Sequence, residues 1–263
     1  SSAHSSSLRW IGLHQKRFDM SRFGLIGKSL SHSFSQNYFQ KKFADLQIQA
    51  TYENFELDGI EEIKDLISNE KLSGLNVTIP YKEVVIPLLD EIDPTALKVG
   101  SVNTINFKNG KTIGHNTDII GFENSLKPFL EHGMDRALIL GTGGAAKAVA
   151  YVLKELGLDV LFVSRKPSGE NEISYSDCNV NAVKWHKLIV NTTPVGTSPN
   201  ILEAPAIAYE GVTNSHLLYD LIYNPGKTKF LKEGETRGAS TQNGVGGLKI
   251  QAEQSWEIWN SIG

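Results

Sequence analysis

A glycine-rich turn between a strand and a helix is the feature that most constrains this chain. Residues 139–166 read ILGTGGAAKAVAYVLKELGLDVLFVSRK. The apolar run 137–140 predicts a buried parallel strand, and residues 145–156 have helical spacing. At such a helix start, free N–H groups and the positive end of the helix dipole favour an anion, and glycines let the backbone approach it. The pattern therefore predicts a dinucleotide-binding unit whose pyrophosphate lies at Gly141, Gly143, Gly144 and Ala145.

The residues after the second strand of this unit indicate which dinucleotide is bound. The strand predicted at 160–163 ends in Ser164, Arg165 and Lys166. A site for NAD usually offers Asp or Glu at this point, to the 2′-hydroxyl of the ribose. Two cations without a carboxylate favour a 2′-phosphate, so we expect NADP(H). The alternative is a solvated basic turn with no ligand.

Composition limits the classes of function. The 263 residues have a formal net charge of −3, which gives no reason to expect a nucleic-acid partner. No run reaches the ~20 apolar residues that a membrane helix needs, so we expect no membrane partner and a cytoplasmic protein. The single cysteine, Cys178, excludes an internal disulfide or cysteine zinc cluster, and the seven histidines lack metal-site spacing, so no metal is expected.

The first 19 residues differ from the rest of the chain. The segment opens SSAHSSS and is irregular and poor in acidic residues. We interpret residues 1–19 as a leader that is not native to the fold or is disordered, with Met20 as the native start; a Ser-rich targeting peptide is the alternative.

From Arg22 the pattern alternates between strand and helix. Strands are predicted at 23–26, 51–55, 75–79, 188–190 and 217–221, and helices at 35–46, 60–68 and 248–259. Such alternation predicts an α/β fold with a mainly parallel sheet, and Asn109 with Gly110 predicts a hairpin. Because more than 100 residues precede the glycine-rich turn, we expect a separate α/β unit that holds a substrate, with the last helix returning to it.

Five polar patches are hard to explain by packing alone. They contain Ser33 and Ser35; Asn76, Thr78 and Lys82; Asn103 and Thr104; Asp118; and Asp220, Tyr223, Asn243 and Gln251. Each has a structural alternative. The serines and Asp118 could cap helices, the lysine could be a solvated surface residue, and the amides could serve turns or sheet edges.

Together these patches resemble the shikimate dehydrogenase family over nearly the whole chain from Met20 to Gly263. The family's serine pair, NVTxPxK, AVNT and NTD elements are similar to SHSFS, NVTIPYK, SVNT and NTDIIG. Its glycine-rich loop and its YDxxYxP and NGxGxLxxQ elements are similar to GTGGAAKA, YDLIYNP and NGVGGLKIQ. The resemblance implies NADPH-dependent reduction of 3-dehydroshikimate to shikimate, in the pathway to aromatic amino acids.

The resemblance also implies an architecture and a set of roles. An N-terminal substrate-binding α/β domain, residues 20–117 with 243–263, would face a Rossmann-type NADP-binding domain, residues 118–242, across a cleft. Lys82 and Asp118 would be the catalytic pair. The substrate carboxylate would bind Ser33 and Ser35, and Tyr223 would help to close the pocket. The ring hydroxyls would be bound by Asn76, Thr78, Asn103 and Gln251. A monomer or homodimer is expected.

Three positions depart from the family pattern. Ile119 stands where the family commonly has Gly, Gln36 where Pro is frequent and Gly247 where Met is frequent. None of these departures removes the acid/base pair. They affect the expected shape of the nicotinamide pocket and the backbone around Ser35.

Three other interpretations stay open at this point. A quinate/shikimate dehydrogenase of broader substrate and cofactor range would share Lys82 and Asp118. A non-catalytic nucleotide- or metabolite-sensing member of the fold would not need that pair. The order of the two domains also resembles that of methylenetetrahydrofolate dehydrogenases, but the serine pair and the NTD segment favour shikimate.

Overall fold

The computed structural model describes residues 20–69 and 71–261, which form two six-stranded sheets in chain order. The interpretation of residues 1–19 as a foreign leader lies outside the described residues. Among the described residues, no helix has the length and apolar character to cross a bilayer.

The first sheet is mixed, with three parallel and two antiparallel strand pairings. Its strands are β1 Ser21–Gly27, β2 Ala50–Glu56, β3 Gly74–Val77, β4 Glu91–Ile92, β5 Thr104–Lys108 and β6 Lys111–His115, in the order β2-β1-β3-β5-β6-β4. Its connecting helices are α1 Phe34–Asp45, α2 Ile60–Asn69 and α3 Pro94–Val99. The predicted hairpin is confirmed: β5 and β6 are antiparallel, and Asn109 and Gly110 have φ of 52° and 75°. The hairpin makes the sheet mixed, because a tight turn can join only antiparallel strands.

The second sheet is parallel throughout and has the Rossmann strand order. Its strands are β7 Arg136–Leu140, β8 Asp159–Ser164, β9 Glu172–Ser174, β10 Leu188–Asn191, β11 Leu217–Asp220 and β12 Ser240–Gln242, in the order β12-β11-β10-β7-β8-β9. Its helices are α5 Gly144–Glu155, α6 Val180–Trp185 and α7 Lys229–Thr236. Strand order reverses between β7 and β10, where ligands of such sheets bind.

Two helices connect the sheets. α4 Asp118–Leu126 follows β6, and α8 Val245–Asn260 follows β12. They cross at glycines: a Cβ at Gly121 would lie 2.6 Å from the Gly247 carbonyl oxygen. The aromatic end of α8 packs on the first sheet, where Trp259 lies 4.8 Å from Phe23 between ring centroids and donates to the Ile105 carbonyl at 3.0 Å. The division into domains at residues 118 and 243 stays a prediction.

The α/β prediction with a Rossmann-type unit is confirmed, but several short elements were not predicted. β9 and β12 have three residues each, α6 has six, and α7 has eight with a glycine inside it. Two of these elements, β9 and β12, are the edge strands of the second sheet and contain few apolar residues. Three residues are too few to show an alternating pattern of apolar and polar side chains.

Candidate active site

Lys82 and Asp118 form an ion pair between the two sheets. Lys82 follows β3 by five residues, and Asp118 is the first residue of α4. Their Nζ and Oδ2 atoms are 2.6 Å apart, and the side chains are 13% and 25% exposed. The alternative interpretations, a solvated surface lysine and a helix-capping aspartate, are therefore wrong. The pair is largely shielded from water yet accessible, as an acid/base pair must be.

Asn116 leaves the Asp118 carboxylate free for this pairing. Its Oδ1 accepts from the Ile119 amide at 3.2 Å, which satisfies an N–H of the first turn of α4. Its Nδ2 donates to the Ser101 carbonyl at 2.9 Å, and the Val102 amide donates to the Lys82 carbonyl at 2.8 Å. Asn116 thus links the start of α4 to the segment before β5, which is itself bonded to Lys82.

Asn103 and Gln251 converge on Thr117, the residue before Asp118. Asn103 Oδ1 accepts from the Thr117 amide at 2.7 Å, and Asn103 Nδ2 donates to Thr117 Oγ1 at 2.9 Å. Gln251 Oε1 accepts from Thr117 Oγ1 at 3.2 Å. Within the described chain the Gln251 amide nitrogen has no hydrogen-bond partner, so it remains a donor for a ligand.

Asn76, like Asn103, uses its polar atoms inside the protein, whereas the amide nitrogen of Gln251 remains available. Its Nδ2 lies 3.0 Å from Ser255 Oγ and 3.2 Å from Thr104 Oγ1, and its Oδ1 accepts from the Tyr52 hydroxyl at 2.8 Å. Burial raises the pKa of Tyr52, which keeps the phenol a donor. Asn76 therefore supports the neighbouring polar groups and has no donor hydrogen to spare.

The predicted carboxylate-binding serines lie at the start of α1. Ser33 is the N-cap and its Oγ accepts from the Gln36 amide at 3.2 Å, which leaves the hydroxyl hydrogen free to donate. Ser35 is buried. The side chain of Gln36 accepts from Asn54 Nδ2 at 3.0 Å, so this departure from proline adds a tie to β2.

Tyr223, from the loop after β11, reaches this serine segment. Its hydroxyl donates to the His32 carbonyl at 2.5 Å, and its ring packs edge-on against Phe34 at 5.6 Å between centroids. Burial raises the pKa of Tyr223. Tyr223 therefore contacts His32 and Phe34, the two neighbours of Ser33 in the chain.

Thr78 and two of the residues that depart from the family pattern, Ile119 and Gly247, also have defined surroundings. The Thr78 amide donates to the Ile26 carbonyl at 2.9 Å, which leads the chain out of β3 towards Lys82. Ile119 packs on the apolar core of the second sheet. At position 247 a Cβ would meet the Gly121 carbonyl oxygen at 3.3 Å, so glycine lets α8 lie close to α4.

The glycine-rich turn lies at the carboxyl end of β7. Gly141 has φ of 109°, a conformation that favours glycine, and its amide donates to the Val163 carbonyl at 2.9 Å. Gly143 is the N-cap of α5 and has no capping side chain, and a Cβ there would meet nothing within 4 Å. The first turn of α5, with Gly144 and Ala145, offers free N–H groups at this point, and such groups at a helix start favour an anion.

The predicted basic residues lie beside this turn. β7 and β8 pair in register at Leu140 and Val163, so Ser164 and the exposed Arg165 and Lys166 follow at the same edge of the sheet. The Ser164 hydroxyl accepts from the Lys166 amide at 3.2 Å. This donor set fits a phosphorylated ribose next to a pyrophosphate.

Sequence reasoning missed several residues of this region. The segments next to the ion pair are fixed by hydrogen bonds of Ser101, Asn116 and Thr117. Beside the glycine turn, Thr192 donates to the Leu140 carbonyl at 2.6 Å. Their signal was weak but present: Thr192 and Thr193 directly follow the buried strand β10, and Asn116 and Thr117 belong to the NTD element.

Known proteins resemble the chain over nearly its full length. The family model of the shikimate dehydrogenase substrate binding domain matches residues 25–105. The shikimate dehydrogenase (NADP(+)) of Methanococcus maripaludis strain S2 is 37% identical over 256 residues, which cover 91% of each chain. The crystal structure of shikimate dehydrogenase from Aquifex aeolicus has a TM-score of 0.81 at 33% identity and covers 92% of each chain. The Thermus thermophilus shikimate 5-dehydrogenase in complex with NADP(H) and shikimate has a TM-score of 0.80 at 29% identity, covering 92% of this chain and 94% of that one.

Proposed function

This chain belongs to the shikimate dehydrogenase family, and on that premise we propose that it reduces 3-dehydroshikimate to shikimate with NADPH. It is an NADP-dependent oxidoreductase of the shikimate pathway. The observation that carries the proposal is the Lys82–Asp118 pair, which lies where the lysine segment after β3 meets the start of α4. A member that only sensed metabolites would not need a shielded acid/base pair.

The chemistry follows from the charges that develop at the carbonyl. NADPH held by the glycine-rich turn and the basic residues after β8 would supply a hydride to the carbonyl carbon, so negative charge would develop on the carbonyl oxygen. The Lys82 ammonium stabilises that charge and gives the oxygen a proton, and Asp118 holds the ammonium in place. In the reverse direction the neutral amine takes the hydroxyl proton.

We assign the remaining polar residues to substrate binding. Ser33 and Ser35 bind the carboxylate, and the free Ser33 hydroxyl hydrogen and the nearby Tyr223 ring support that role. Thr78, Asn103 and Gln251 bind ring hydroxyls, with Gln251 Nε2 as the available donor. Asn76 belongs to the same group, and its amide also orients Thr104 and Ser255 as the Asn103 amide orients Thr117.

Cofactor binding is assigned to the turn and to the basic residues after β8. Gly141, Gly143, Gly144 and Ala145 offer backbone N–H groups to the pyrophosphate, and Ser164, Arg165 and Lys166 bind the 2′-phosphate. The exposure of Arg165 and Lys166 beside the end of β7 supports this choice of NADP(H) over NAD(H). Cytoplasmic location and a monomeric or homodimeric state stay predictions.

One spectrophotometric experiment tests the proposal. Reduction of NADP⁺ at 340 nm is followed with shikimate, and in parallel with quinate and with NAD⁺, for the wild type and Lys82→Ala. We expect turnover with shikimate and NADP⁺ that Lys82→Ala loses. Equal rates with quinate would instead favour a quinate/shikimate dehydrogenase, and no turnover with any pair would favour a sensing protein.

A further inference from the structure

The first turn of α5 lies directly against the side chain of Lys82. A Cβ built at Gly144 would be 2.8 Å from Ser101 Oγ, 3.0 Å from Lys82 Cβ and 3.4 Å from Lys82 Cδ. Three residues along the helix, Lys147 Nζ pairs with Glu83 Oε2 at 2.8 Å. The aliphatic part of Lys82 therefore passes over the α-carbon of Gly144, and an ion pair holds the helix turn in that position.

The neighbouring Gly143 has quite different surroundings. A Cβ there would meet nothing within 4 Å, and its φ of −78° is open to any residue. The protein itself therefore does not require glycine at 143, and open space for a ligand is the remaining reason for it. At 144 the protein does require glycine, because a methyl group would fall on Ser101 and Lys82.

Ser101 limits how Lys82 could respond to crowding. It is fully buried, and its hydroxyl has no hydrogen-bond partner in the part of the chain that the structure describes. Its carbonyl accepts from Asn116, and the next amide, of Val102, donates to the Lys82 carbonyl. The backbone of Lys82 is thus held from one side, so a new atom at position 144 would displace its side chain.

We infer that Gly144 is a positioning residue for the reaction: its missing side chain lets Lys82 lie along α5 and reach Asp118, so that the cofactor turn and the acid/base pair share one contact. The inference rests on the proposed function for its kinetic test. It separates the reasons for two adjacent glycines whose N–H groups are both assigned to the pyrophosphate: the missing side chain leaves space for the phosphate at Gly143 and for Lys82 at Gly144.

The test compares Gly144→Ala with Gly143→Ala, the same change one residue away. For Gly144→Ala we expect kcat to fall tenfold or more, while the Kd for NADP⁺, measured by tryptophan fluorescence, changes less than threefold. For Gly143→Ala, at a residue assigned to cofactor binding, we expect the KM and Kd for NADP⁺ to rise tenfold or more, with any loss of kcat smaller than this loss of affinity. Such a split separates positioning for the chemical step from binding.

A double variant guards against a general folding defect. Ser101→Ala removes the atom closest to the new methyl group, so Gly144→Ala with Ser101→Ala should recover kcat to within threefold of Ser101→Ala alone. If the methyl group instead lowered kcat by keeping the cofactor phosphate away from the turn, Ser101→Ala would not restore kcat. An equal kcat loss in both glycine variants, or no recovery in the double variant, would overturn the inference.

A crystal structure of Gly144→Ala makes the result independent of activity. The Lys82 Nζ to Asp118 Oδ2 distance, 2.6 Å in the wild type, should exceed 4 Å in the variant. If the wild type did not oxidise shikimate, the proposed function would fail while this distance still decided the role of Gly144. An unchanged distance would refute that role.

Discussion

Thr228 Oγ1 donates a 2.6 Å hydrogen bond to Asp220 Oδ2, and this contact closes the loop that carries Tyr223. Asp220 is fully buried at the end of β11 and also accepts from Asn191 Nδ2 and the Ile222 amide, both at 3.1 Å. Thr228 in turn caps α7 through the Leu231 amide. The loop that reaches the serine segment is therefore held at both ends by one carboxylate.

Burial of Asp220 makes stability depend on pH. Desolvation raises the pKa of this carboxyl from 3.8 to about 6. Between about pH 4 and pH 6 the folded state keeps a proton that the unfolded state has lost, so this group lowers the free energy of unfolding as the pH rises. A pKa raised by about two units corresponds to a loss of about 3 kcal/mol in the free energy of unfolding once the pH exceeds 6. Urea unfolding of the wild type and Asp220→Asn at pH 4.5 and 7.0 should show the wild type losing stability relative to the variant; a constant difference would contradict this.

Lys82→Ala should lose turnover and keep substrate binding. The ammonium acts mainly on charge that develops in the transition state, so we expect kcat to fall ~10²-fold or more with a small change in Kd for shikimate. Asp118→Asn should behave similarly. Lys111→Ala is the matched control: Lys111 and Glu91 also pair at 2.6 Å, but their side chains are 61% and 50% exposed. If both lysine variants retained kcat, Lys82 would have no catalytic role.

Arg165→Ala should weaken the preference for NADP⁺ over NAD⁺. A charge-assisted contact to phosphate contributes ~1.5 to 3 kcal/mol when well formed, which is roughly tenfold or more in kcat/KM. Lys154→Ala, an exposed cation on the last turn of α5, serves as the control. Steady-state kinetics with each cofactor measure the ratio, and a ratio that Arg165→Ala leaves unchanged would assign the 2′-phosphate to other residues.

Shikimate should be strongly preferred to quinate. C1 of shikimate is flat, whereas C1 of quinate is tetrahedral and bears a hydroxyl, so two serines at a helix start match only one carboxylate direction. A badly paired group in a desolvated pocket costs on the order of 1 to 3 kcal/mol. Tyr223→Phe removes the hydrogen bond to the His32 carbonyl and should reduce the difference between the kcat/KM values for shikimate and quinate. Comparable values for the two acids in the wild type would reject shikimate specificity.

Ser101→Ala should stabilise the fold. The buried hydroxyl has no partner among the described residues, and an unsatisfied buried polar group costs about 1 to 3 kcal/mol. Ser255→Ala is the contrasting variant, because Ser255 Oγ accepts from Asn76 at 3.0 Å and lies 2.8 Å from Thr104 Oγ1. We expect it to lower the free energy of unfolding by a similar amount. Urea denaturation measures the free energy of unfolding of both variants. Destabilisation by Ser101→Ala would mean that the Ser101 hydroxyl has a hydrogen-bond partner in solution.

The sequence by itself determined the local elements and the list of candidate groups. The glycine turn before α5, the hairpin at Asn109 and the long apolar strands were predictable because periodicity and backbone preference act over a few residues. The motifs around Lys82 and Asp118 resemble those of a known family, and that resemblance predicts that the two residues form a catalytic pair. Mixed pairing in the first sheet and the short edge strands were not predictable, because they depend on which strands become neighbours.

Only the tertiary structure decided what each candidate contacts. Lys82 and Asp118 are 36 residues apart in the chain, and the distance between them is 2.6 Å. Their segments are joined because Asn116 donates to the Ser101 carbonyl and the next residue, Val102, donates to the Lys82 carbonyl. Gly143 and Gly144 look alike in the sequence, yet only Gly144 lies against the lysine. The physical reason is that hydrogen bonding and close packing between distant segments depend on strand order and helix crossing, which no local pattern encodes.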